Sequence, residues 1–501
     1  MSGSNKYARL TPEEAAELIP DGSTIGFSGF TSAGSAKVVP RALAKKAKIL
    51  HSQNKDFKVR ILAGASTSNS VDGALAEADA ISLRLGYQST KTMRNKINEE
   101  TIDFVDIHLS HIQQQVKSGM LGKVDFAVIE ATDITDDGKV YLSTSIGASP
   151  TYLECADKVI IEINQFHSLR LREMTDIIAI PKPPRRKTIP IFTPMDKIGK
   201  PYANVDPNKI VGIVYNDEPD ETSKFTTPDE TCAKISINVV NFLLNELKAD
   251  RIPKEFLPLQ SGVGNIGNAV MKGIGEHPDI PPFTMFTEVF QDSLVEQLEK
   301  GNLLGASTSA LTISSENLKK IYSNMDFFAP RLVLRPQEIS NNPILTRQLG
   351  VISINTALEA DIYGNINSTH VCGTKIMNGI GGSGDFERNA YLSIFVCPSI
   401  AKAGKISAIV PMCTHIDSSE HSVEILITEQ GTADLRGLSP LKRAYAIIKN
   451  CIHPAYRDYM YQYLASAPKG HIRHNLSTCF DLHKNLIKHG AMLPNVRDIG
   501  L

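Results

Sequence analysis

Pro281-Pro-Phe-Thr-Met-Phe-Thr-Glu-Val-Phe-Gln-Asp292 is the stretch around which the rest of this 501-residue chain is organised. Its β-branched and aromatic residues follow two prolines, a pattern that predicts one buried strand. Glu288 lies inside that strand, and the two-residue repeat places it on the same face as Phe286 and Phe290. Burying a carboxylate among aromatic rings raises its pKa, so Glu288 is a candidate nucleophile or general base. The alternative is an edge strand in which Glu288 points to solvent.

The composition is that of an ordinary soluble globular protein, with 42% hydrophobic and 21% charged residues. Lys and Arg number 53 and Asp and Glu number 54, so the charge favours neither nucleic acid nor a membrane surface as a partner. The first residues lack an apolar signal core, and no run of 18 apolar residues occurs. Seven scattered cysteines without a C-x-x-C pair indicate reduced thiols rather than disulfides or a zinc site. We therefore expect a cytoplasmic enzyme that uses no metal.

Strand and helix signals alternate through the first two hundred residues, which predicts an α/β fold with a mainly parallel sheet. The polar stretch Asn216–Glu230 has no apolar periodicity and predicts a linker between a domain of residues 1–220 and a domain of residues 221–501. Near the start of the second domain, Phe256–Leu259 is followed by a glycine loop and a helix. Residues 22–45 show the same order, which indicates two halves built on one plan.

Two glycine-rich segments are candidates for binding an anion. Gly262-x-Gly264-x-x-Gly267 matches a dinucleotide fingerprint, but the acid twenty residues on is Glu288, which the pattern places within a strand rather than at its end. What remains is a loop whose N–H groups are open to an anion or an oxyanion at a helix N-terminus. Asn378–Phe386 holds the densest group of glycines, which allows close approach to the backbone. The alternative for the Gly262–Gly267 segment is a tight turn, and the alternative for Asn378–Phe386 is a flexible surface loop.

A second acid, Glu429, ends a predicted strand, a favoured place for active-site residues in α/β proteins, and Glu359 is a comparable candidate with less context. The spacings of His370, His415 and His421 match no standard metal site. A buried glutamate, two glycine loops and a second acid suit acyl transfer through a carboxylate nucleophile. They name no substrate.

Five motifs resemble the acetyl-CoA hydrolase/transferase family: Ser261–Val270, Thr287–Asp292, Arg335–Pro343, Gly379–Phe386 and Ile427–Gly431. The likeness runs from about Leu10 to Met492 and is closest to the CoA-transferases that pair succinyl-CoA with acetate or propionate. It implies two related open α/β domains of the CoA-transferase type with the active site between them. The chain departs from the family pattern at Phe290, where leucine is usual, and at Gly267, where alanine or asparagine is usual. Both departures lie in the neighbourhood of the active site, where the resemblance implies an effect on the size of the acyl group and not on the type of reaction.

The resemblance also implies a mechanism and a set of site residues. Glu288 attacks the acyl-CoA thioester to give a mixed anhydride, and the CoA thiolate then returns to give a glutamyl-CoA thioester. Asn341 and Glu429 would support Glu288 and the carboxylate substrate, while Gly264 and Gly382 would stabilise the oxyanions. The residues that would contact CoA are Val263, Gly264, Asn265, Ile266, Gly267, Leu358, Asn378, Gly382 and Lys402. Family members are typically homodimers.

Three other functions remain open on the sequence alone. An acyl-CoA hydrolase on the same scaffold would use water in place of the second carboxylate. An NAD-dependent oxidoreductase would bind a dinucleotide at the Gly262 loop and would not bind CoA. A regulator that binds CoA without catalysis would not need Glu288.

Overall fold

The computed structural model describes residues 6–222 and 229–493. Residues 223–228, part of the predicted linker, lie outside the described residues. The first half carries nine strands in one sheet: β1 Thr24–Phe27, β2 Val59–Leu62, β3 Ile81–Leu85, β4 Asp103–Val105, β5 Phe126–Ile134, β6 Lys139–Leu142, β7 Lys158–Asn164, β8 Ala203–Asn204 and β9 Ile210–Asn216.

Among its described residues, the second half carries an eight-stranded sheet, a three-stranded sheet and three strand pairs. Its strands are β10 Leu259–Ser261, β11 Phe283–Phe286, β12 Val289–Gln291, β13 Leu303–Thr308, β14 Ala310–Thr312, β15 Leu332–Leu334, β16 Ile352–Thr356, β17 Glu359–Asp361, β18 Ile366–Asn367, β19 His370–Val371, β20 Lys375–Ile376, β21 Leu392–Val396, β22 Ile400–Ala401, β23 Ile406–Ser407, β24 Ile409–Val410, β25 Ile425–Thr428 and β26 Gly431–Asp434.

The two sheets share one strand order. The first contains the parallel run β4-β3-β2-β1-β5-β7-β9, and the second contains β15-β13-β11-β10-β16-β21-β25. In each run the first strand along the chain is central, and the order reverses beside it. Such a reversal opens a crevice at the carboxyl ends of the strands. In the first sheet β6 pairs antiparallel with the carboxyl end of β5, and β8 pairs with β6. In the second sheet β26 adds an antiparallel strand at the edge, beside β25.

Helices pack around both sheets, and local signals set many of their ends. Thr11 and Glu14 form a capping box at the first helix, and Gly301 ends another helix in the left-handed conformation. The helices are α1 Pro12–Glu17, α2 Val38–Ser52, α3 Ala74–Glu77, α4 Lys91–Asn98, α5 Ile112–Lys117, α6 Ser149–Cys155, α7 Glu230–Lys248, α8 Asn265–Glu276, α9 Asp292–Lys300, α10 Ser315–Ser323, α11 Met325–Phe328, α12 Gln337–Ser340, α13 Pro343–Leu349, α14 Ser383–Glu387, α15 Pro440–Asn450, α16 Pro454–Ser466 and α17 Asp481–His489. Across the described ranges, no helix has the length and apolar character needed to span a membrane.

The predicted single strand around Glu288 is wrong in one respect. The chain leaves the large sheet after Phe286, and β12 then pairs with β14 in a separate small sheet. Glu288 therefore lies at the carboxyl end of β11 rather than in the middle of a strand. Phe286 and Phe290 are both fully buried, but they belong to different hydrophobic clusters because the break redirects the chain.

Candidate active site

A cleft of about 660 Å³ lies where the carboxyl ends of the two sheets meet. The first half contributes residues that follow β1 to β4, and the second half contributes residues at the ends of β10, β11 and β16 and from the glycine loop before α14. The lining residues are Phe30, Thr31, Ala65, Tyr87, Leu109, Gly262, Val263, Glu288, Val289, Asn355, Thr356, Ser368, Asn378, Gly379, Ile380, Gly381, Gly382 and Ser383. Glu288 is the one residue with a charged side chain in that set.

The backbone at Glu288 is held firmly. Its carbonyl oxygen accepts hydrogen bonds from Ser309 N at 2.8 Å, from Ala310 N at 3.2 Å and from Thr308 Oγ1 at 2.7 Å. These donors lie where β13 passes into β14, the same kind of break that separates β11 from β12. Two neighbouring parallel strands thus turn away together, and their ends fix the position from which the Glu288 side chain enters the cleft.

The Glu288 carboxylate is enclosed by Asn341 and Gly382. The Asn341 side chain donates from Nδ2 to Glu288 Oε1. Gly382 lies so close that an added Cβ would overlap both Oε1 of Glu288 and Nδ2 of Asn341. Burial raises the pKa of the Glu288 carboxyl to about 7, the Asn341 hydrogen bond opposes that rise, and the nearby Asp385 carboxylate adds to it. A carboxylate of this kind is more basic, and so a better nucleophile, than one in water.

The Gly262–Gly267 loop lies beside the cleft at the start of α8. Gly264 has φ of 119°, a conformation that favours glycine, and its N–H donates to Gln291 Oε1 at 3.3 Å. Val263 is exposed and lines the cleft, and Asn265 and Ile266 open the helix. Gly267 packs so tightly that an added Cβ would overlap the carbonyl oxygen of Gly262. The Gly264 N–H is predicted to stabilise an oxyanion. In this conformation it donates instead to the side chain of Gln291 in β12.

Asn378 joins the second half to the first. Its Nδ2 donates to Tyr87 Oη at 3.3 Å, and its carbonyl oxygen accepts from Gln88 Nε2 at 3.2 Å. The side-chain oxygen of Asn378 is buried without a hydrogen-bond partner. A buried, unpartnered amide oxygen beside the cleft is suited to accept a hydrogen bond from a bound molecule.

The other predicted residues, Glu429, Leu358 and Lys402, do not line the cleft. Glu429 accepts hydrogen bonds from Ser399 N at 2.8 Å and from Gln430 Nε2 at 3.0 Å, and it does not line the cleft. Leu358 is exposed on the chain between β16 and β17. Lys402 is exposed at the turn between β22 and β23. The structure therefore brings Glu288, Asn341, Gly382, Asn378 and Val263 together at the cleft, whereas Glu429, Leu358 and Lys402 are not among the residues that line it.

Within the described ranges, Glu130, His167 and Asp220 are the group of side chains close enough to share a metal ion. They are buried, and the ammonium of Lys37 forms ion pairs with both Glu130 and Asp220. The positive charge that these carboxylates require is thus supplied by a lysine. The absence of a metal in the function of this chain stays a prediction.

Family models match both halves of the chain. Residues 1–215 match the acetyl-CoA hydrolase/transferase N-terminal domain, and residues 318–464 match the C-terminal domain of the same family. The chain belongs to the acetyl-CoA hydrolase/transferase family.

Relatives that match this chain over most of their length are named either CoA-transferases or acetyl-CoA hydrolases. The chain is 56% identical to the propanoyl-CoA:succinate CoA transferase of Escherichia coli, with 97% of this chain and 99% of the relative covered. It is 46% identical to the succinyl-CoA:acetate CoA-transferase of Clostridium kluyveri, with 96% and 90% covered. An acetyl-CoA hydrolase of Schizosaccharomyces pombe is more distant, at 40% identity with 97% of each chain covered.

Solved structures share the fold of this family member. RipA from Yersinia pestis superposes with a TM-score of 0.70 at 22% identity, over 91% of this chain and 96% of that one. The 4-hydroxybutyrate CoA-transferase of Porphyromonas gingivalis gives 0.61 at 19% identity, over the same shares. The α/β fold of the CoA-transferases, expected from the motifs, is confirmed.

Sequence reasoning placed the site of this family member almost entirely in the second half and missed two groups. Asp385 lies within the Gly379–Phe386 motif, where a buried acid among glycines was a usable signal. Ser110, Asp106 and Tyr87 come from the first half, and nothing in their local sequence points to the site. They reach it only because the carboxyl ends of the two sheets face each other.

Proposed function

We propose that this chain is a CoA-transferase that moves CoA between succinyl-CoA and a short-chain carboxylate, acetate or propionate. The proposal depends on the position of the Glu288 carboxylate in the cleft between the two sheets. Its pKa is raised, it accepts a hydrogen bond from Asn341, and it lies in close contact with Gly382. The names of the E. coli and C. kluyveri relatives support the choice of substrates.

The reaction proceeds through covalent forms of Glu288. A carboxylate oxygen of Glu288 attacks the thioester carbonyl of succinyl-CoA, a C–O bond forms, and the C–S bond breaks to release CoA thiolate and leave a mixed anhydride. The thiolate then attacks the glutamyl carbonyl, so that a C–S bond forms and succinate departs with the bridging oxygen. Acetate or propionate attacks the resulting glutamyl-CoA thioester, and the two steps run in reverse to give a new acyl-CoA. No net proton is required.

Several residues have proposed roles in binding and in stabilising charge. Each addition step places negative charge on an oxygen, and backbone N–H groups at Gly382 and Gly264 are the proposed donors. For Gly264 this role requires its N–H to exchange Gln291 for the oxyanion. CoA would lie along Val263–Gly267, Leu358, Asn378, Gly382 and Lys402. The exposed ammonium of Lys402 suits the CoA phosphates. Glu429 is the proposed support for the carboxylate substrate, although it is not one of the residues that line the cleft.

The remaining proposals concern organisation and surroundings. The chain divides into domains of residues 1–220 and 221–501, which agrees with the separate sheet in each half. It acts as a homodimer in the cytoplasm, without a metal and without nucleic acid or membrane partners.

The test is the intact mass of the protein after mixing with succinyl-CoA, with borohydride quenching in parallel. An adduct of the mass of CoA that maps to Glu288 and disappears on addition of acetate or propionate is expected. Steady release of free CoA without an added carboxylate would instead indicate the acyl-CoA hydrolase, the activity named for the S. pombe relative. Neither an adduct nor CoA release would refute both activities.

A further inference from the structure

A second carboxylate, that of Asp385, lies directly behind the contact between Asn341 and Glu288. Asp385 is buried, and its Oδ2 lies 3.4 Å from Asn341 Nδ2, the nitrogen that donates to Glu288 Oε1. A side-chain amide nitrogen carries two hydrogens, so Asn341 can serve both carboxylates at once. Asp385 itself accepts from Ser110 N at 3.0 Å and from Ser110 Oγ at 2.6 Å.

These contacts decide which end of the Asn341 amide faces Glu288. The amide oxygen accepts from Ser340 Oγ at 2.8 Å, on the side away from the carboxylates. A rotated amide would place its oxygen against Glu288 and Asp385 and would lose both donated hydrogen bonds. Asp385 therefore holds Asn341 as a donor toward the reacting oxygen.

Asp385 also acts on Glu288 through its charge. It adds to the rise in the Glu288 pKa that burial produces, and burial raises the pKa of Asp385 itself to about 6. Two like charges bound to one amide repel each other. When Glu288 attacks an acyl group it becomes a neutral anhydride and later a neutral thioester, so the repulsion disappears as the reaction proceeds. An interaction that is unfavourable only before reaction lowers the barrier.

Ser110 ties this arrangement to the first half. It belongs to Asp106–Ser110, the segment that follows β4 and contacts the glycine loop along its length. Asp106 accepts from Ile380 N at 2.9 Å, and an added Cβ at Gly384 would lie 2.5 Å from His108 Cε1. The same segment offers the Leu109 carbonyl oxygen to Gln337, one turn before Asn341. Residues that follow β4 of the first sheet thus hold the second-half residues around Glu288 in place.

We propose that Ser110, Asp385 and Asn341 form a hydrogen-bonded relay between the two halves, and that Asp385 is a positioning residue which orients the Asn341 amide as a donor toward Glu288. The inference rests on the proposed function, because it assigns the role through the reaction of Glu288. It adds to that function a requirement that the first half be docked before Glu288 is competent.

Asp385→Asn tests the relay, since asparagine keeps the shape and can accept from Ser110 but carries no charge. We expect kcat for CoA transfer to fall about tenfold or more with little change in KM for acetate, because the nucleophile is misoriented. We also expect the acid limb of the kcat/KM profile to move to higher pH, because the Glu288 carboxylate loses the Asn341 hydrogen bond that lowers its pKa, and this loss outweighs removal of the Asp385 charge. Asp279→Asn, at an exposed aspartate before β11, is the matched control and should behave as wild type.

Ser110 supplies a second variant that does not depend on the folding of the first. Ser110→Ala removes one hydrogen bond to a charged group and should lower kcat about tenfold, whereas Ser110→Thr keeps the hydroxyl and should restore it. Ser323→Ala, at an exposed serine on α10, is the control. Thermal melts establish that each variant is folded.

The outcomes separate the relay from the proposed function. No CoA adduct at Glu288 in the wild-type protein refutes the transferase mechanism. An adduct in the wild type that forms equally fast in Asp385→Asn, with an unmoved acid limb, overturns the relay alone. If Asp385→Asn does not fold, wild-type kcat in Ser110→Ala overturns it.

Discussion

Gly382→Ala should abolish transfer while leaving the fold intact. The backbone at Gly382 has φ of −98°, which alanine adopts without strain, so the substitution acts through its added methyl group alone. That methyl carbon would lie within covalent-bond range of Glu288 Oε1 and would also overlap Asn341 Nδ2. Since non-bonded atoms stand about 3.5 Å apart, the carboxylate has to retreat by about 2 Å. A misplacement of about 1 Å already costs about 10²-fold in rate, so we expect a loss of about 10³-fold or more in kcat.

The assay is the rate of acetyl-CoA formation from succinyl-CoA and acetate, with the Glu288 adduct followed by mass. Gly470→Ala, at an exposed turn where an added Cβ meets nothing nearer than 3.3 Å, is the control and should retain wild-type kcat and melting temperature. A folded Gly382→Ala protein with kcat within tenfold of wild type would show that the carboxylate does not react from the position described here. A protein that fails to fold would show instead that Gly382 is needed for packing. Asn341→Ser, which removes the side-chain donor to Glu288 Oε1 without adding bulk, would then be tested, and wild-type kcat in that variant would contradict the described geometry.

Three further predictions concern Glu288. Glu288→Ala should eliminate turnover, and Glu288→Asp should be severely impaired because one missing methylene withdraws the nucleophile from the acyl carbon. Both variants should still bind CoA. Measurable turnover in Glu288→Ala would contradict the proposed mechanism. The kcat/KM of the wild type should fall as the pH drops below about 7, because burial raises the pKa of Glu288 to about 7 and the protonated acid cannot attack; a profile that is flat down to pH 5 would contradict this. Glu288→Gln should raise the free energy of unfolding at pH 8 by up to about 3 kcal/mol, because the pKa of Glu288 in the folded protein exceeds the ordinary value of 4.5. This gain should shrink as the pH falls through 7 and vanish near pH 4.5. Thermal melts of the variant and the wild type at pH 8 and at pH 4.5 test the sign of the effect.

The sequence alone predicted the α/β fold and singled out Glu288 as the proposed nucleophile. Alternation of apolar strands and helices is a local pattern, so it predicted strands such as β5, β7 and β9 and the shared opening of the two halves. Glycine motifs are also local signals, because a glycine is needed where its own backbone conformation or a close contact excludes a side chain. These motifs therefore predicted the two loops beside the cleft. Glu288 stood out because a carboxylate within an aromatic run is costly wherever the run is buried.

The tertiary structure decided how that carboxylate is used. The break after Phe286 depends on which strands pair with β11 and with β12, and strand pairing is not encoded in the run itself. Asn341 and Glu288 are 53 residues apart within the second half, and Ser110 and Asp385 are 275 residues apart in different halves, so only the tertiary fold brings each pair within hydrogen-bond distance. The pKa of Glu288 follows from the same packing, because desolvation and the charge of Asp385 are properties of the surroundings. The sequence predicted which residue reacts; the tertiary structure determined the position of that residue, its hydrogen-bond partners and its raised pKa.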